Sequence, residues 1–78
     1  MDKSQHTAAY RRLTAASREA RERAGLTQQQ LAERVRVYAS FVSKVESGER
    51  RIDVIELAVL YKAYGVTVLE LLKAARVG

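Results

Sequence analysis

The stretch from Thr27 to Gly48, TQQQLAERVRVYASFVSKVESG, constrains the fold more than any other, because it patterns as two short helices joined by a tight turn. Leu31, Ala32 and Val35 recur at i, i+1 and i+4, and Val42 and Val45 at i and i+3. Each half therefore carries one apolar stripe, and the two stripes can face each other. Thr27 and Gln30 form a capping box, in which the threonine oxygen takes an orphan N–H of the first turn, so the first helix starts here. Gly48 suits the position just past the end of the second, where a positive φ is wanted. Apolar Val37 between them, with Ala32 small enough to let the two backbones approach, completes the pattern of a helix-turn-helix unit.

The flanking residues supply three more helices. Leu13, Ala16 or Ser17, Ala20 and Ala24 fall on one face of a helix predicted over 8–24, with Arg11, Arg12, Arg18, Glu19, Glu22 and Arg23 on the others. Its inner stripe is mostly alanine, which supplies little transfer energy but lets neighbours sit close. Arg11 and Arg12 read as solubilising charges. The central pair is placed at 27–35 and 38–47. Asp53 with Glu56 makes a second capping box, opening a helix over 53–64 with Val54, Leu57, Leu60, Tyr61 and Tyr64 inward. Thr67 with Glu70 makes a third, opening a last helix over 67–75 that turns Val68, Leu71 and Leu72 inward, with Val66 as the plug between the two. Glycine stands at three of the four interior helix ends, whereas Arg36 stands at the other, so Arg36 is expected to turn left-handed at a cost of about 1 kcal/mol. The whole is an all-α, compact five-helix domain over 8–75, between flexible tails at 1–7 and 76–78.

A chain of 78 residues has room for one small core, which is marginal below about 80 residues unless stapled or oligomeric. There is no cysteine for a disulfide and a single histidine, His6, so a structural zinc site fails on ligand count. Oligomerisation is the favoured source of extra stability. The net charge of +5 suits a polyanionic partner. No uncharged run is long enough to span a bilayer and the N-terminus has no apolar signal core, so no membrane partner and a cytoplasmic location are expected. No nucleophile beside a base, phosphate loop or metal-spaced ligand set is visible, so neither an enzyme nor a cofactor or metal is expected.

Leu26-Thr27-Gln28, Leu31-Ala32, Val35, Val37, Val42-Ser43 and Glu46-Ser47-Gly48 resemble the Cro- and Xre-type helix-turn-helix family of bacterial and phage transcription regulators, over roughly Leu13 to Leu72. The resemblance implies a lambda-repressor-like fold that binds double-stranded DNA. With Val42 and Val45 facing the protein, the second helix of the unit presents Ala39, Ser40, Ser43, Lys44 and Ser47 on its other side. By that resemblance Ala39, Ser40 and Lys44, with adjacent Ser43, read bases, Lys44 as a donor to guanine. Gln28, in the first turn of its helix, is the main candidate for phosphate, flanked by Arg36, Tyr38, Ser47, Arg50 and Arg51. Glycine is common in the family's turn and serine or threonine at the cap that Tyr38 occupies, so both positions depart from its pattern. The family also pairs the glutamate matching Glu46 with an arginine of the first helix, here Arg21.

Ile55 and Val59 form an apolar pair that the core does not need, and Leu69 adds a third residue at an outward position. Clustered, the three would make an interface patch for an isologous homodimer on a pseudo-palindromic operator. The other function class is an antitoxin or similar protein-binding module, for which a toxin or regulatory protein would be the partner and DNA binding secondary or lost.

Overall fold

Side-chain caps fix where most of the helices begin. The computed structural model describes residues 7–76, and among them it contains five helices and no strand: α1 (Ala8–Arg23), α2 (Gln28–Val35), α3 (Ala39–Glu46), α4 (Val54–Tyr64) and α5 (Val68–Ala74). Thr7, Thr27, Asp53 and Thr67 each accept the N–H of the residue three positions on, satisfying a donor that the helix itself leaves unpaired. Gln30, Glu56 and Glu70 reach back to the N–H groups of Thr27, Asp53 and Thr67, closing three capping boxes. The spans predicted from sequence exceed the observed ones only by cap residues. Thr7, assigned from sequence to the N-terminal tail, is the cap of α1, and residues 1–6 and 77–78 lie outside the described residues.

The core gathers where the helices converge. Leu31, Leu60, Val42 and Val45 are the largest fully buried side chains, joined by Leu57, Tyr64 and Leu71. Ala16, Ala20 and Ser17 form the buried stripe of α1, and their small volumes let that helix lie close against α3, α4 and α5. The most extensive packing is between α2 and α3, where Ala32 is buried at the crossing side. Burial lifts the Tyr64 hydroxyl to about 12.

The α2–α3 turn closes through Arg36, which adopts φ 62°, ψ 49°. With Arg36 left-handed, the N–H groups of both Arg36 and Val37 return to the carbonyl of Ala32, the second at 2.9 Å. Reaching back five residues in this way requires the left-handed residue between, which glycine supplies without strain and arginine does not.

Three sequence readings are corrected. Val54 is not inward but 71% exposed, because it stands roughly 90° round the helix from the face centred on Leu57, Leu60 and Tyr64. Ala24 is exposed at the C-cap of α1, where the chain has already left the helix. Arg12 is no mere solubilising charge, since its Nε donates to the carbonyl of Ala75 at 2.8 Å and its Nη2 to that of Arg76 at 3.3 Å. It thereby ties α1 to the carbonyl end of α5, where a cation is favoured.

Candidate nucleic-acid interface

Helix α3 divides cleanly between a buried and an exposed side. Val42 and Val45 are buried against the domain, while Ala39, Ser40, Ser43, Lys44 and Ser47 are all exposed. At eight residues α3 is about 12 Å long, comparable with the width of a B-DNA major groove. Small hydroxyls around one flexible cation make a convex, donor-rich strip. Tyr38, at the N-cap of α3, makes no side-chain cap and is 83% exposed, so its ring stands out beside the strip. Arg36 is exposed two residues earlier. Ser47 is the C-cap of α3, its Oγ donating to the carbonyl of Lys44 and accepting the N–H of Glu49.

Behind this strip one carboxylate joins three helices. Arg21 of α1 grips Glu46 of α3 with a two-bond fork, Nε to Oε2 at 2.7 Å and Nη2 to Oε1 at 2.9 Å, and both side chains are at least nine-tenths buried. Its Nη1 donates to the carbonyl of Leu26 at 2.8 Å. Gln28, first residue of α2, donates its amide to Glu46 Oε1 at 3.0 Å. The hydrogen bonds to Glu46 hold the Arg21 guanidinium above the ordinary arginine range. The role of Glu46 in holding Gln28 is not visible in sequence, where the two lie 18 residues apart.

The loop after α3 is organised differently from the sequence expectation. Arg50 sends both terminal nitrogens to Glu56, Nη1 to Oε1 and Nη2 to Oε2 at 3.0 Å each, and its guanidinium carbon lies 4.6 Å from the centroid of the Phe41 ring. The bonds to Glu56 raise the Arg50 pKa. Arg50 is thus engaged within the domain although its side chain is 44% exposed, and Arg51 is exposed beside it. Phe41 and Glu56 carry no site signal in sequence beyond the part of Glu56 in a capping box.

The apolar residues read as a dimer patch are exposed, at 71% for Ile55, 44% for Val59 and 62% for Leu69. Ile55 and Val59 line an open groove of about 620 Å³ with Val37, Tyr38, Phe41 and Leu60, and Leu69 takes no part in it. Among the described residues no three His, Cys, Asp or Glu side chains gather closely enough to hold a metal ion, and no helix is long and apolar enough to cross a membrane.

A family model described as helix-turn-helix matches residues 18–71, which takes in α2, α3 and α4 whole and parts of α1 and α5. No curated protein matches the chain at a significant level.

Proposed function

We propose, from the premise that this chain belongs to the Cro/Xre-type helix-turn-helix family of DNA-binding regulators, that it is a sequence-specific transcriptional repressor or controller acting as a homodimer on a pseudo-palindromic operator. The observation that carries this reading is the two-sidedness of α3, with Val42 and Val45 buried and a continuous small, polar and cationic strip left outside. That strip enters a major groove. Lys44 donates to guanine O6 or N7, Ala39 packs on a thymine methyl, and Ser40 and Ser43 complete the reading surface. Gln28, Arg36, Tyr38, Ser47 and Arg51 contact the backbone and set the register. An amide nitrogen has two hydrogens, so Gln28 keeps one for a phosphate oxygen while Glu46 holds the other.

The dimer is supported by the groove on α4. Ile55 and Val59 offer apolar surface beside the start of α3. The domain is 32 Å in its longest dimension, so two copies side by side suit half-sites about 34–36 Å apart. The base and backbone roles separate by measurement. Lys44→Ala should cost roughly 1–3 kcal/mol of binding and relax preference at one base position, while Arg51→Ala should weaken all duplexes alike and reduce the salt slope by about one. The same uniform loss from both would contradict the assignment of roles.

A further inference from the structure

Tyr10 stands on α1, outside the residues that the family model matches, and bonds a loop some forty residues further on. Its hydroxyl accepts the N–H of Ile52 at 2.8 Å and donates to the carbonyl of Arg50 at 3.4 Å. Those two bonds straddle Arg51. The rest of the loop is equally committed. Ser47, Gly48 and Arg50 give their N–H groups to carbonyls of α3, Glu49 gives its own to Ser47 Oγ, and Asp53 gives its own to Glu56 Oε1. Arg50 then crosses from the loop to Glu56 on α4 while stacked over Phe41 of α3. A connection between two helices is ordinarily among the more mobile parts of a domain, and this one is bonded to α1, α3 and α4 at once.

We propose that Tyr10 and Arg50 are positioning residues, which hold residues 48–52 in the shape that presents Arg51 to the DNA backbone, and that Arg50 touches no phosphate itself. The assignment rests on reading the α3 face as a DNA interface. Its physical basis is that a phosphate contact made from an ordered loop loses little conformational freedom on binding, whereas the same arginine on a loose loop must be ordered at that moment. Arg50 stays off the phosphates because leaving Glu56 would break a two-bond, charge-assisted fork and a ring stack together.

The test uses the full chain, a preferred duplex selected from a random pool, and an unrelated duplex. Tyr10→Phe keeps the ring and removes only the hydroxyl. It should weaken binding to both duplexes by a similar factor, about three- to tenfold, and lower the salt slope by up to one phosphate equivalent. Combined with Arg51→Ala it should add nothing to the loss from Arg51→Ala alone. Additive losses, or an unchanged salt slope, would overturn the assignment of Tyr10. Glu56→Gln separates the two readings of Arg50. If Arg50 is a positioning residue, removing its carboxylate partner weakens binding; if Arg50 is a phosphate contact held back by Glu56, the same change frees a cation, removes a negative charge and tightens binding. Tighter binding would therefore overturn the assignment of Arg50 while leaving the DNA reading intact. A wild-type chain that binds no duplex would overturn both.

Discussion

The α2–α3 unit and the α4–α5 pair close their apolar surface in different ways. In the first, Leu31, Ala32, Val42 and Val45 are at most 2% exposed, and the polar side is braced by the Arg21–Glu46–Gln28 network. In the second, Leu57, Leu60 and Leu71 are buried, yet Val54, Ile55, Val59 and Leu69 remain substantially exposed. Apolar residues run most of the way round α4, so one face is used internally and another is left over. The contrast teaches that the helix-turn-helix unit covers its apolar surface within one chain, whereas the C-terminal helices leave apolar surface exposed.

The largest effect expected is on the braced side. Glu46→Ala leaves the Arg21 charge enclosed without its partner, which should cost about 3–5 kcal/mol, a large share of the roughly 4–12 kcal/mol available to a domain this small. Exposed Glu49→Ala, three residues on, should change stability by less than about 0.5 kcal/mol. Urea unfolding of the two variants checks the difference, and equal losses would break the claim that the reading unit is braced from within.

Next in size is the unfinished side. Val59→Glu should leave the fold of the monomer intact and raise the dimer dissociation constant by about a hundredfold, near 3 kcal/mol, in sedimentation equilibrium. Leu69→Glu, outside the groove, should shift it less. The reverse order would move the interface to α5, and a wild type that stays monomeric at about tens of micromolar, against typical interface strengths, would remove it.

The smallest effect sharpens the comparison at the turn. Arg36→Gly relieves left-handed strain but adds freedom to the unfolded chain, so stability should rise by no more than about 1 kcal/mol. Duplex affinity should fall nonetheless, because a cation beside the α3 strip is lost. A drop in stability of more than about 1 kcal/mol would show that the arginine side chain contributes packing that its exposure does not suggest.

What was legible in the sequence follows from the range of the interactions concerned. Three capping boxes, at Thr27, Asp53 and Thr67, each span four residues, so the helix starts could be read locally. The left-handed turn at Arg36 was legible because the other interior helix ends carry glycine. The buried side of α3 followed from the spacing of Val42 and Val45, while the pairing of Arg21 with Glu46 came from family resemblance. The contacts of Tyr10 with Ile52, Arg12 with Ala75 and Gln28 with Glu46 join residues 18 to 63 apart. No periodicity encodes such contacts. Arg50 shows the practical consequence, since its charge suggested phosphate and nothing local announced the contacts with Glu56 and Phe41 that the fold gives it. Val54 was misplaced for a different reason, because an apolar residue on the flank of a stripe has the same composition as one at its centre.

The most direct test of the central claim, that the exposed strip of α3 reads sequence, is selection of duplexes from a random pool by the wild-type chain and by Lys44→Ala at one fixed salt concentration. The wild type should enrich a pseudo-palindrome with half-sites about 10–10.5 base pairs apart and bind it at least about a thousandfold more tightly than a scrambled duplex. Lys44→Ala should enrich the same site with one position in each half relaxed. A pool that shows no enrichment, or an identical consensus from both proteins, would contradict the account.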